Sequence, residues 1–417
     1  MTRTAEQPVV VVRMADAGDL YMSWRWVDDV GPGGVSMLPG GPIDEVVARL
    51  AAALPVPGAA QGVADALSTG DFATPESEYL LARDLSRALL PSGLAEQLAH
   101  LHAQGIRPLL RLQPSPRVAQ VPWEILAPAP ELRLIDIADL GLSAAASIVG
   151  APGRVARRWA DRRDLPVVGI LDPRIPGYRA DSALGSVLGR MDASNALTER
   201  IAEYRARQRF APEIGTAFRR TDLDRDWLGA ALRAGASRLL YVGHVTAAAP
   251  ESGQSENAEL HLACGADTTG FARATRTHRP LSAKDFLLGT HTLEPVPRAG
   301  AELWPMPARV ALIACESGGD LRFSEALGLT AAMLAGGAEL VTATRWPLPT
   351  DLAFQHFANT GARPLLATIC AVDAAHEQPD PVVALADWQR DRLSSWRDTG
   401  AIEFSPILWS ALATVST

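Results

Sequence analysis

Apolar positions recur along this chain with two different rhythms. Short, mostly apolar runs at residues 165–171, 238–243, 310–314 and 339–344 stop at proline, glycine or polar residues. They are too short for buried helices and predict core strands. Between them the apolar residues take helical spacing: 222–234 predicts a helix with an acidic first turn, and 324–334 a helix closed by Gly336-Gly337. Another helix restarts at Asp351, which reads as its cap. Strands and helices alternating in this way predict an α/β fold with a mainly parallel central sheet.

The first 155 residues are patterned differently. Segments 9–14 and 20–27 predict strands, and a glycine- and proline-rich turn region at 31–42 separates them from helices over 43–54 and 76–90. Two more strands are expected at 106–112 and 132–137, and 154–163 reads as an exposed basic connector. The expected organisation is a smaller N-terminal α/β subdomain, 1–155, followed by the main α/β unit, 156–417. Residues 250–307 offer only one strand-like stretch, 258–263, and predict a loop-rich segment.

Composition narrows the function classes. With 417 residues, 47% of them hydrophobic, the chain can build a sizeable core. A formal net charge of -8 argues against a general nucleic-acid binder. Cys264, Cys315 and Cys370 are too few and too scattered for a disulfide framework or a zinc site, which fits a reducing cytoplasm. Neither a signal peptide nor an apolar run of the roughly 20 residues needed to span a bilayer is evident, so no membrane partner is expected. No strand is followed by a glycine-rich phosphate loop, which argues against a nucleotide-binding domain, and no cofactor is expected.

Two of the predicted core strands end in reactive side chains. Leu239-Leu240-Tyr241-Val242-Gly243 delivers His244, and Val310-Ala311-Leu312-Ile313-Ala314 delivers Cys315. In open α/β sheets, ligands and catalytic groups gather beyond the carboxyl ends of the strands. A thiol of ordinary pKa is only a few per cent ionised at neutral pH, so a neighbouring imidazole suits a nucleophilic cysteine. Taken alone, each residue also has a plain structural reading, the cysteine as a small buried hydrophobe above all.

Four segments resemble the CHAT domain, the caspase-like, separase-related cysteine peptidase group of clan CD. They are Tyr241-Val242-Gly243-His244, Ala314-Cys315-Glu316-Ser317-Gly318, the run from Gly336 to Pro347, and Val121-Pro122-Trp123-Glu124. Ser405-Pro406-Ile407-Leu408-Trp409 is also similar to that family's terminal strand. The resemblance covers residues 76–417. It implies a caspase-like three-layer sandwich, a pseudo-caspase-like N-terminal part, and an endopeptidase in which Cys315 forms the acyl intermediate and His244 moves the proton. The backbone N–H groups of Val245 and Cys315 would receive the oxyanion. Family members commonly carry glycine where Val245 stands; a β-branched residue keeps the N–H but resists positive φ and narrows the approach.

The resemblance further implies Asp172, Glu316 and Trp346 as candidates for a substrate pocket, with Asp172 favouring a basic residue before the scissile bond. Asp172-Pro173 also reads as a simple turn. A protein substrate and a separate sensor or activator protein are the implied partners, in settings such as bacterial defence. The alternative is a catalytically silent CHAT module acting as an interaction scaffold.

Overall fold

The computed structural model describes residues 7–28, 30–56, 60–191, 194–210, 216–323 and 327–417. Its strands are β1 (Val9–Ala17), β2 (Asp19–Trp26), β3 (Gly34–Leu38), β4 (Leu109–Gln113), β5 (Asp139–Ser143), β6 (Val167–Leu171), β7 (Arg238–Val242), β8 (Val245–Thr246), β9 (Glu259–Leu260), β10 (Leu281–Ser282), β11 (Arg309–Ile313), β12 (Leu340–Thr344) and β13 (Leu412–Ser416). Ten of them form one sheet in the order β3-β2-β1-β4-β5-β13-β12-β11-β7-β6, and β8, β9 and β10 form a small antiparallel sheet.

The large sheet contains two four-stranded parallel blocks joined back to back, with β2 and β3 added antiparallel beside β1. β1, β4, β5 and β13 run one way, β12, β11, β7 and β6 the other, and the antiparallel β12–β13 pair is the seam. Both stretches of the chain, before and after residue 155, thus contribute to one sheet. Every residue of β6, β7, β11 and β12 is buried, so this block is covered on both faces. β1 and β2 instead alternate: Val10, Val12, Leu20, Met22, Trp24 and Trp26 are buried while the residues between them are open or half-open. The period-two pattern at the amino terminus and the continuous runs later in the chain are therefore one-sided and two-sided burial.

The arginines that precede the apolar runs are not outside the strands. Arg238 and Arg309 are buried first residues of β7 and β11. Arg238 is held by Asp373 at 2.9 Å and Glu377 at 2.8 Å, and Arg309 donates to the carbonyls of His376 and Pro379 at 2.8 and 2.9 Å. The basic connector is docked in the same way. Arg154 donates to the Leu334 and Ala338 carbonyls and Arg157 to those of Gly336 and Met306, so that Leu334 and the cap residue Gly336, at the end of helix Leu329–Ala335, have their acceptors covered. Residues 324–326 of the helix expected over 324–334 lie outside the described residues.

Other expectations are corrected. Residues 134–137 form a single helical turn, Leu134–Ile137, and the strand follows as β5. The buried pair of Arg133 with Glu78 and the bond from the Arg133 N–H to Asp136 stabilise the turn over a strand. The turn region 31–42 contains β3, and the 405–409 motif is a short helix, Pro406–Trp409, ahead of the terminal strand β13. Thr350, not Asp351, caps helix Asp351–Phe357; Asp351 binds the Leu365 N–H and Arg363. No described helix is long and apolar enough to cross a membrane.

Glu124, within the Val121–Glu124 motif, fastens the seam. Its carboxylate takes both outer nitrogens of Arg345 at 2.9 and 3.0 Å, and Arg345 also donates to the Ser410 and Leu412 carbonyls at 2.7 and 2.8 Å. Both side chains are buried. Removing one partner leaves an uncompensated charge, so Glu124→Ala should lower the unfolding free energy by about 3–5 kcal/mol in urea denaturation. A loss below about 1 kcal/mol would show that the pair does not hold the seam.

Candidate active site

β6, β7 and β11 are parallel neighbours in matched register: Leu171 faces Val242, and Val242 faces Ile313. His244 and Cys315 each lie two residues past the Val242–Ile313 pair, so they leave the sheet at the same level from adjacent strands. Asp172 leaves from the third, one residue past Leu171, and its N–H donates to the Val242 carbonyl at 2.7 Å. The sequence-predicted dyad and one pocket candidate are thus brought to one edge.

The bend after β7 is built by Tyr241. Its fully buried hydroxyl lies 2.6 Å from the His244 carbonyl and 2.9 Å from that of His261. A Cβ on Gly243 would come within 2.7 Å of that hydroxyl, so the close approach requires glycine. The chain then enters β8, where Val245 pairs with Leu260. Because the His261 N–H donates to the His244 carbonyl at 3.1 Å, the Val245–Leu260 pair is of the non-hydrogen-bonded kind, and the Val245 N–H points away from β9. Val245 is not among the described non-glycine residues with positive φ. The valine therefore meets no backbone conflict here.

The cysteine turn is tied to the end of β12. Ser317 Oγ donates to the Leu312 carbonyl at 2.6 Å and accepts from the Thr344 N–H at 3.0 Å, Thr344 Oγ1 donates to the Ala314 carbonyl, and the Gly318 N–H donates to Thr344 O at 2.9 Å. Glu316, directly after Cys315, has a φ of 52° and turns the chain sharply. Its carboxylate pairs with Arg322 and takes a longer contact from Gln120 at 3.4 Å.

His244 is held by a residue that the sequence did not single out. Its Nε2 lies 3.0 Å from the Gly185 carbonyl. A carbonyl only accepts, so Nε2 carries the hydrogen and Nδ1 keeps the basic lone pair. No sequence signal marks a backbone carbonyl for this task; Gly185 is one of several glycines in the loop after β6. No hydrogen bond joins His244 to Cys315 among the described residues.

Burial depresses the His244 imidazole below its usual 6.5; the Gly185 carbonyl and Asp172 oppose this, and Arg219 adds to it. Burial also pushes the Cys315 thiol above its usual 9.0, with Glu316 acting in the same sense and the Leu348 N–H against it. At neutral pH both groups are therefore uncharged. Burial raises the thiols of Cys264 and Cys370 as well, the latter to about 11.

Two of the three pocket candidates are spoken for. The Trp346 ring is fully buried, stacks on Phe72 at 6.1 Å and donates to the Ile407 carbonyl, so it forms no pocket wall in this structure. Asp172 is 1% exposed and its carboxylate is bound by Ser186, Val187 and Arg219, which matches its charge internally. Glu316 is half-buried and tied to Arg322.

Alkylation of Cys315 should accelerate with pH through a midpoint above 9.0, the ordinary thiol value, because the thiolate is the disfavoured form. His244→Ala should leave that midpoint in place. A reactive plateau persisting below about pH 6 would instead reveal a thiolate–imidazolium pair.

No curated protein matches this chain. Two crystal structures of the Saccharomyces cerevisiae separase–securin complex are similar to it, at 9% identity with a TM-score of 0.48 and at 10% identity with a TM-score of 0.47. Each likeness covers 98% of this chain, which spans only 30% of the length of the matched chains. The family model of the CHAT domain matches residues 80–416, a span that takes in every strand from β4 to β13. With both strand-end residues, His244 and Cys315, inside that span, the chain belongs to the CHAT-domain family.

Proposed function

We propose that this protein is a cysteine-type endopeptidase acting on a protein substrate, with Cys315 as nucleophile and His244 as base and acid. The observation that carries the reading is the common level of the two residues at the carboxyl ends of adjacent parallel strands, with Gly185 fixing the histidine's tautomer. In the proposed reaction His244 Nδ1 takes the thiol proton as sulfur attacks the scissile carbonyl. The Val245 and Cys315 N–H groups receive the developing oxyanion. Collapse breaks the carbon–nitrogen bond, the departing amine takes the proton from Nδ1, and a thioester remains on Cys315. Water, giving its proton to Nδ1, attacks the thioester, and the acid product leaves as the thiol is restored.

The resting pair is neutral and unbonded, which supports a latent enzyme that a separate sensor, activator protein or ligand must complete. A preference for basic residues, drawn from Asp172, would require Arg219 to leave its carboxylate. The unbonded pair equally suits the second reading, a CHAT module used only for interaction.

Incubation with an unbiased peptide library, with and without lysate of the source cell as a supply of activator, separates the two. Cleavage should occur in at least one condition and fall at least about 10⁴-fold in Cys315→Ala. No cleavage in any condition favours the interaction module. Val245→Pro removes an N–H that β9 does not use, so it should reduce turnover about 10²–10³-fold while Val245→Ala does not. Equal turnover in the two would remove Val245 from the oxyanion role.

A further inference from the structure

Asp172, which is buried, and Arg219, which is partly exposed, sit beside His244. Asp172 directly follows β6, and its φ of 52° turns the chain sharply there. Ser186 Oγ donates to it at 2.5 Å, the Val187 N–H at 3.1 Å and Arg219 Nη1 at 3.3 Å. Ser186 and Val187 are the two residues after Gly185. Arg219 reaches the same peptide from the other side: its Nη1 donates to the Gly185 carbonyl at 3.1 Å, while its own backbone N–H rests on the Leu171 carbonyl at 3.3 Å.

The Gly185 carbonyl therefore accepts two hydrogen bonds, from Arg219 and from His244 Nε2, one for each lone pair. The turn that carries it is tight. Its N–H donates to Ser182 O and the next N–H to Ala180 O, both at 2.8 Å. A Cβ at position 185 would lie 2.2 Å from the Ala180 oxygen, so the peptide has this aim only with glycine present.

We propose that Asp172 and Arg219 are positioning residues that clamp the Gly185 carbonyl against His244 Nε2, in place of the substrate-pocket role that the sequence suggests for Asp172. Every polar contact of the Asp172 carboxylate supports this role, and none faces outward. The effect is geometric more than electrostatic, because the two charges act on the imidazole in opposite directions. The clamp rests on the reading of His244 as the base, but its geometry is testable without a substrate.

The test is proton exchange at the ring. In the full chain labelled with ¹⁵N-histidine, the His244 Nε2–H should give a slowly exchanging, downfield resonance, identified by its loss in His244→Gln. Asp172→Asn and Arg219→Gln should each speed that exchange on the order of tenfold in the folded protein. Arg219 is partly exposed, so its variant keeps the test open if Asp172→Asn does not fold. Absence of the resonance in the wild type, or unchanged exchange in the folded variants, would overturn the clamp. A protected ring proton in a protein that cleaves nothing would leave the clamp standing and remove the peptidase reading.

Discussion

Everything proposed for the site depends on the register of one parallel strand pair. β7 and β11 are joined with Val242 opposite Ile313, and this alone puts a histidine and a cysteine from residues 244 and 315 at one level. A slip of one residue would turn the side chains of a whole strand to the other face. The register is protected because both strands are buried throughout and their first residues, Arg238 and Arg309, are fixed to the segment 373–379. The buried charges lie at the end of the sheet away from the reactive edge. A slip would therefore have to pull two arginines off their partners as well as exchange packed faces.

The same burial that fixes the geometry disfavours the charged forms of both reactive groups. Desolvation lowers the imidazole and raises the thiol, so the pair rests neutral. The orientation is nevertheless set in advance: the Gly185 carbonyl settles the tautomer, Tyr241 fixes the bend before β8, and Thr344 and Ser317 hold the cysteine turn. Among the described residues no hydrogen bond joins the two side chains, and forming it is the step that the proposal assigns to an activator or substrate.

The strands of this block were legible in the sequence because two-sided burial leaves unbroken apolar runs, and the reactive residues because they end those runs. The mainly parallel α/β fold followed from the alternation with helices. Legibility failed where tertiary contacts decide local structure. Residues 134–137 are apolar enough for a strand, but a buried Arg133–Glu78 pair and an Asp136 cap make them a helical turn. Arg154 and Arg157 looked exposed because nothing local reveals the carbonyls they cover. Val245 looked cramped because positive φ was assumed there, whereas the residue is in a short strand. Gly185 could not be found at all, since its contribution is a main-chain oxygen that every residue possesses.

The central claim is that Cys315 and His244 form a working thiol centre. It is tested most directly by treating the protein with a mixture of peptidyl acyloxymethyl ketones, in the presence of cell lysate, and mapping the covalent adduct by mass spectrometry. A nucleophile of this kind predicts an adduct on Cys315 that disappears in His244→Ala, with Cys264 and Cys370 unmodified. Adducts spread over the three cysteines, or on Cys315 regardless of His244, would contradict it.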